Sequence, residues 1–524
     1  MRVDDMENAD SVVARLDITK YKPYLAKAKC FDIEAGKFIA VLNDKQAKRN
    51  GIFTGDRAVL RLGGREKVVT VDLSEEVVGP NEVGLFAETS SDLHAQDGAE
   101  VEIKHVAVPH SIGVIRRKLD GAPMDSKDID MVIGEMMENR LSDVELASWV
   151  AAMYTRGMDN DETVALTKAI VRSGDTLDLG RKPVVDKHCA GGVAGNRTTM
   201  VLVPIMAAAG LYIPKTSSRA ISSASGTADT MEVLAPVEFS IEEMRRIVLK
   251  TNGCMVWGGA INLAAADDKL IRIRHSLSLD PRGVLLASIL AKKVSVGAQY
   301  VVIDIPTGMG TKFEEMKAAR SLARDFLGIG SRLGLSIECL ITDGTDPVGQ
   351  RIGPALECYD VLNVLQNSGP PDLMDKSCQL AGALLEKCGK VGKGRGYAAA
   401  VELIRNGKAY AKMREIIAEQ GGNPNVKPSD LPIGTHRYIV EATASGRVRL
   451  VDNRNISRIA RAAGAPHDVG AGVILHCEQG DKVKQGDLLM EVVAESASKL
   501  NFAIKVLGEI EPIKLQKVVL GKVD

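Results

Sequence analysis

The chain has 524 residues, more than one ordinary hydrophobic core holds, so two to four domains are expected. Its 45% hydrophobic and 26% charged residues are those of a soluble globular protein, and a net charge of −1 excludes a global field drawing nucleic acid or an anionic membrane, so any anion site has to be local. No apolar run approaches the roughly 20 residues that cross a bilayer, and the acidic opening "MRVDDMENADSVV" lacks a secretory h-region, so a cytoplasmic protein without a membrane partner is expected.

Residues 1–105 read as a small β-barrel. "FDIEAGKFIAVLN", "RAVLRLGG", "KVVTVDL", "EVGLFAE" and "AEVEIKH" are short alternating runs punctuated by Gly, Asn and Asp. Residues 110–180 turn helical. Ser142-x-x-Glu145 is a capping box, with Leu146, Trp149, Val150 and Met153 following on one face. "DETVALTKAIVRSG" continues the helical spacing up to Gly174, and later helices are expected to join this lobe. Over 181–425 strand, loop and helix alternate: "KPVVDKH" to "TTMVLVPIMAAAG", "YIPKTSS" to "TADTMEVLA", "YVVIDIP" to "FEEMKAARSLARDFLG", then "LSIECLIT". That pattern predicts an α/β domain with a mostly parallel sheet. Residues 432–524 become β-rich again. "GAGVILHCEQGDKVKQGDLLMEVVAES" has the Gly-paired texture of a barrel-sandwich or biotinyl-like α+β domain, but it offers no lysine in an Ala-Met-Lys-Met-like hairpin, so a structural role is expected rather than a carrier.

Four stretches carry chemistry. In "VVDKHCAGGVAGNRTT", Gly191, Gly192 and Gly195 free the backbone to turn its amides toward an anion, ahead of a helix beginning about Arg197. Lys187 adds a point charge, and Thr198 and Thr199 add hydroxyls. No Lys-Ser/Thr follows at the Walker spacing, so this is not an ordinary nucleoside triphosphate loop. Taken alone it is equally a plain strand–helix turn. "KTSSRAISSASGTAD" offers Ser217, Ser218, Ser222, Ser223 and Thr227, with Lys215 and Arg219, to a polyanion, or else it is a solvated loop. In "RIRHSLSLDPRGVLLASILAKK", Asp280 is a candidate helix cap, and Ser288 and Lys292 share a helical face that Lys293 leaves. "IPTGMGTK" is a Gly-rich strand end carrying Lys312. The eight cysteines lack CxxC spacing, so neither zinc nor a disulfide framework is expected. Aromatics at 4% are too few for stacking along a nucleic-acid strand.

These motifs, in this order, resemble the thymidine/pyrimidine nucleoside phosphorylases from about residue 115 onward. "SSRAISSASGTAD", "RHSLSLDPRG" and the extra N-terminal barrel are most similar to the archaeal AMP phosphorylase branch, so the resemblance covers nearly the whole chain. It implies phosphorolysis of nucleoside 5′-monophosphates: AMP and phosphate would give adenine and ribose 1,5-bisphosphate in nucleotide degradation, with CMP and UMP as further substrates. The residues call for no metal or organic cofactor, the charge and aromatic content for no nucleic-acid partner, and the resemblance implies a homodimer or higher homo-oligomer.

By the same carry-over, Asp280 is the proton donor to the leaving base, which requires a desolvated carboxyl, and His188 polarises the base or orients substrate. Gly192, Ser218, Arg219, Ala220, Ile221, Ser222, Ser223, Thr227, Ser288 and Lys312 contact AMP. Lys187, Ser217, Thr198 and Thr199 hold phosphate, and Arg274 and Lys292 are secondary. Cys189 stands where the nucleoside enzymes usually carry Ser, and a thiol is a weaker donor. Ser218, Ser222 and Ser223 stand where they carry Gly, Gly and His. Those added hydroxyls suit a 5′-phosphate and favour a nucleotide over a nucleoside. The competing readings are a thymidine or pyrimidine nucleoside phosphorylase, an anthranilate-type phosphoribosyltransferase, and an assembly protein whose N-terminal barrel resembles the double-psi barrels of AAA-type unfoldases.

Overall fold

A computed structural model describes residues 24–106, 108–220, 223–261 and 263–516. The candidate residues Ile221 and Ser222, the opening peptide, and the last residues of the C-terminal domain lie outside it. The chain divides into two compact units: Met1–Met158 with Lys269–Pro281, and Asp159–Asp268 with Arg282–Asp524.

In the first unit, β1 (Tyr24–Cys30), β2 (Ile39–Asn43), β3 (Arg57–Leu62), β4 (Arg65–Ser74), β5 (Glu82–Leu85) and β6 (Glu100–His105) close a barrel in the order β1-β5-β2-β4-β3-β6. The β1/β5 and β2/β4 pairs are parallel, and the other pairs are antiparallel. Alternation along the strands turns Ala40, Leu42, Ala58, Leu60, Val69 and Val71 inward. The sequence reading missed β1, because its buried positions are only Ala26 and Ala28 while Leu25 faces out. Two short helices, α1 (Asp44–Arg49) and α2 (Ala87–Leu93), interrupt the strands.

The helices α3 (Ser111–Leu119), α4 (Ser126–Met137) and α5 (Asp143–Arg156) follow. The capping box forms: Ser142 Oγ accepts from the Glu145 amide at 3.3 Å, and Glu145 Oε2 accepts from the Ser142 amide at 2.7 Å. The same carboxylate also accepts from Arg57 of β3 at 2.8 and 3.1 Å, so one helix cap also ties the barrel to the helices.

The second unit contains α6 (Asn160–Arg172), β7 (Val185–Cys189), α7 (Thr198–Ala208), β8 (Ile213–Ser217), α8 (Thr227–Glu232), α9 (Ile241–Thr251) and β9 (Gly253–Trp257). Next comes α10 (Ala265–Leu277), which leaves this unit after Asp268. Then follow α11 (Arg282–Ser295), β10 (Tyr300–Thr307), α12 (Met316–Arg332) and β11 (Ser336–Asp343). Strands β11-β10-β7 and β8-β9 pair in parallel, and a parallel bridge between Val184 and Tyr212 links the two sets. Strand β9, also missed, is a five-residue run paired beside β8.

Helix α7 is buried almost all round. It lies against the sheet on one side and, after β12 (Arg351–Ile352) and α13 (Pro354–Leu365), against α14 (Pro371–Lys387), α15 (Gly396–Arg405) and α16 (Lys408–Glu419) on the other. The C-terminal part holds β13 (His436–Glu441), β14 (Gly446–Val451), α17 (Asn453–Ala462), β15 (Gly472–Leu475), β16 (Lys482–Val483), β17 (Leu488–Ala494), α18 (Ala497–Glu509) and β18 (Ile513–Leu515). They form antiparallel sheets β12-β15-β17-β13 and β16-β14-β18, the first borrowing β12 from an earlier part of the chain. Among the described residues no helix is long and apolar enough to cross a membrane.

Candidate active site

Ligands in open α/β sheets bind beyond the carboxyl ends of the strands. Three loops leave those ends here: 190–197 after β7, 218–226 after β8 and 308–315 after β10. Gly191 and Gly192 take φ of 92° and 95°, values that L side chains resist. A Cβ on Gly192 would stand 2.6 Å from the Lys312 amide nitrogen, so two stretches far apart in sequence meet where a side chain is missing. Gly226 does the same within the second loop, where a Cβ would lie 2.5 Å from Ser218 O.

Under the first loop, Lys187 is almost wholly buried. Its Nζ donates to Thr198 Oγ1 at 2.8 Å and to Thr199 Oγ1 at 3.3 Å, so three of the predicted phosphate ligands converge at the start of α7. Burial pushes the Lys187 ammonium below its usual range, against the pull of Asp304. His188, half-buried, has no hydrogen-bond partner for its ring among the described residues. Burial first, then the charges of Lys293, Lys215, Lys187 and Lys292, hold that ring well below its ordinary pKa and hence neutral. Cys189 Sγ accepts from the Gly191 amide and from Asn196 Nδ2, both at 3.4 Å, and burial together with Asp304 pushes its thiol up to about 11.

A layer of buried charge supports this loop, and the sequence reading did not assign it. Asp186 of β7 is fully buried between Lys293 Nζ of α11 at 2.6 Å and Lys215 Nζ of β8 at 3.6 Å. Lys215, counted from the sequence as a cation of the second loop, therefore faces inward. Burial lowers it to about 7 against the attraction of Asp186. Asp304 of β10 accepts from Thr342 Oγ1 at 2.6 Å and lies 3.7 Å from Lys376 of α14. Burial alone would raise its carboxyl, but Lys187 and Lys376 hold it below the usual range. The available signals were an Asp within the "VVDKH" strand and a lone Asp within the apolar "YVVIDIP".

The second loop is more internally occupied than its composition predicts. The Arg219 guanidinium is engaged by Glu232 at 2.9 Å and Glu238 at 3.0 Å, and it stacks 4.8 Å from the Trp257 ring centroid. The Ala220 amide donates to Asp229 at 2.7 Å, and Ser223 Oγ donates to Ser225 O at 2.9 Å. These three groups are thus satisfied by the loop, by α8 and by Glu238 rather than held open. Among the described residues Ser217 and Ser218 find no side-chain hydrogen bond. Thr227 opens α8 and accepts from Arg197 at 2.9 Å. Ser288 and Lys292 do share a face: both reach Asp267, at 2.8 and 2.7 Å, while Lys293 turns away to Asp186.

Arg274 and Asp280 belong to the first unit, where Arg274 Nη1 donates to Asp280 Oδ1 at 2.6 Å. The Asp280 side chain is 37% exposed, so the desolvated setting expected for a proton donor is not found within that unit. Asp280 also stands two residues ahead of the first residue of α11.

Three family models match the chain. The helical bundle domain of the glycosyl transferase family covers residues 112–174, the a/b domain of that family covers 181–322, and the pyrimidine nucleoside phosphorylase C-terminal domain covers 447–513. The AMP phosphorylase of Thermococcus sibiricus is 45% identical over 95% of this chain and 99% of its own. That of Pyrococcus furiosus is 46% identical with the same coverage. That of Methanococcoides burtonii is 43% identical over 95% of this chain and 98% of its own. Among solved structures, an anthranilate phosphoribosyltransferase from Thermus thermophilus superposes with a TM-score of 0.50 at 20% identity, over 58% of this chain and 98% of that one. This last likeness is one of fold.

Proposed function

The chain belongs to the AMP phosphorylase family, and from that premise we propose that it converts AMP and phosphate into adenine and ribose 1,5-bisphosphate, with CMP and UMP as further substrates. The observation that carries this is the convergence of Lys187, Thr198 and Thr199 beneath a glycine loop whose Gly192 abuts the Lys312 loop. That arrangement suits a small, multiply charged anion.

In this reading phosphate rests on Lys187, Thr199, Ser217 and the loop amides, positioned to attack C1′ as the bond to the base breaks. AMP is held by the second loop through Ser218 and Thr227, with Ser288 and Lys312 also in contact. His188, kept neutral, offers the base or sugar one N–H and one acceptor nitrogen. The departing base gathers negative charge and takes a proton from Asp280. That carboxyl accepts from Arg274, so the mechanism requires Arg274 to exchange this contact when substrate binds. The loops that bury Arg219, Ala220 and Ser223 in internal bonds likewise open those groups only on binding. No step calls for a metal or an organic cofactor, and the working form is a homodimer or larger.

The test is chromatographic release of free base from AMP, adenosine, CMP, UMP and thymidine, each with and without phosphate. Phosphate-dependent adenine from AMP but not from adenosine is expected. Release from thymidine instead would move the chain to the nucleoside enzymes, and no release from any of them would overturn the reading.

A further inference from the structure

Arg197 stands at the end of the first loop, as the residue preceding α7, yet all its side-chain polar contacts lie elsewhere. Its side chain is buried. Nη1 donates to Thr227 Oγ1 at 2.9 Å and Nη2 donates to Ser225 O at 3.0 Å, so one guanidinium spans the return limb of the second loop. Its Nε lies 2.6 Å from Glu357 Oε2 of α13, a charge contact without the alignment of a hydrogen bond. Glu357 is 1% exposed and is itself seated by Thr230 Oγ1 at 2.9 Å and the Gly353 amide at 3.3 Å. Thr230 in turn lies 2.8 Å from Ser225 Oγ. A buried arginine paired with a buried glutamate is costly unless its remaining donors are used, and here both terminal nitrogens donate, one to Thr227 and one to Ser225 O, while Nε keeps only the charge contact.

We propose that Arg197, held by Glu357, is a positioning residue that couples the phosphate loop to the nucleotide loop by orienting the Thr227 hydroxyl. This rests on the phosphorolysis reading and adds to it. A hydroxyl has one donor hydrogen and two acceptor lone pairs. With a guanidinium N–H filling an acceptor position, the Thr227 hydrogen is turned away from Arg197 and is available to a ligand oxygen. Thr199 is prepared similarly by Lys187 on the other loop. The backbone bond to Ser225 O fixes where Thr227 sits, and the cap position of Arg197 fixes where α7 begins. A shift of either loop therefore moves the other, and the two substrates bind with a shared free energy.

The experiment is a double-mutant cycle on the full chain with Arg197→Met and Thr227→Val, measuring kcat and KM for AMP and for phosphate, with phosphate affinity at zero and saturating AMP taken by calorimetry. The wild type is expected to bind phosphate more tightly when AMP is present. Arg197→Met is expected to abolish that difference and lower kcat/KM for AMP by about 10- to 100-fold, the loss of one charge-assisted hydrogen bond. Phosphate affinity without AMP should change by less than about twofold, and the double variant should lose no more than Thr227→Val alone. Losses that multiply, or an Arg197→Met protein that only melts earlier with unchanged kinetics, overturn the proposal. If Arg197→Met does not fold, Glu357→Gln keeps the volume and is expected to give the same pattern in smaller measure; a Glu357→Gln protein with wild-type coupling overturns it equally. A wild type that releases no base refutes the phosphorolysis reading instead, and in that case loss of AMP–phosphate binding coupling in Arg197→Met still tests the clamp.

Discussion

Asp186→Asn is the sharpest test of the buried floor. Asp186 is fully buried, with ammonium groups at 2.6 and 3.6 Å and the Lys187 amide also donating to it at 2.6 Å. At an effective dielectric near 20 the two attractions are about 6 and about 5 kcal/mol before desolvation is subtracted. Neutralising the carboxylate leaves Lys293 buried without a counter-charge, and breaking such a pair costs about 3–5 kcal/mol. At roughly 2–4 °C per kcal/mol, the thermal transition should fall by about 6–20 °C. Lys293→Met alone leaves Asp186 its contact with Lys215 and should cost less. The double variant Asp186→Asn/Lys293→Met removes the stranded charge and should recover at least about 1.5 kcal/mol relative to the sum of the single changes. Differential scanning calorimetry in phosphate-free buffer reads all three. Additivity within about 0.5 kcal/mol would refute the reasoning, because it would mean the two groups do not interact.

Lys215 gives a pH test. Its folded-state pKa of about 7 lies below the ordinary value of 10.5, so between those limits the unfolded chain holds a proton that the folded chain has released. Stability should therefore climb through that window with a slope approaching about 1.36 kcal/mol per pH unit, and Lys215→Met should remove that part of the slope in denaturation curves from pH 7 to 10. Gly192→Ala puts a methyl group 2.6 Å from the Lys312 amide at a strained φ; turnover should drop by about tenfold or more, and wild-type rates would separate the two loops. Asp280→Asn should leave AMP affinity nearly intact while lowering turnover by about 100-fold or more; near-normal turnover removes Asp280 from the mechanism. Ser142→Ala, losing the α5 cap, should cost about 1 kcal/mol in thermal unfolding with no change in kinetics.

What the sequence made legible is local. The Ser142–Glu145 box, the β7–loop–α7 unit and the Ser288/Lys292 face depend on residues a few positions apart, and each formed as read. What it concealed is either low in contrast or remote. Strand β1 buries two alanines, too little apolar surface to mark a strand. Asp186 finds Lys293, and Arg197 finds Glu357, only once the sheet has brought together segments more than a hundred residues apart. Composition also misled: Lys215 and Arg219 read as cations offered to a ligand, but one is buried under Asp186 and the other is occupied by three carboxylates and an indole. Counting charges along a loop cannot tell which are already spent inside it.

The layer beneath the first loop holds Lys187, Lys215, Lys293 and Lys376 against Asp186 and Asp304. Above about pH 7 Lys215 gives up its proton, and the other three ammoniums against two carboxylates leave one positive charge uncompensated in this layer. On the proposed reading, phosphate seated above it offsets that charge, and the co-substrate would double as a structural ion. The stability of the protein then rises with the logarithm of free phosphate, and its steady-state abundance follows the same variable through the rate at which unfolded copies are cleared. A cell short of phosphate would hold less of this enzyme before any change in its synthesis.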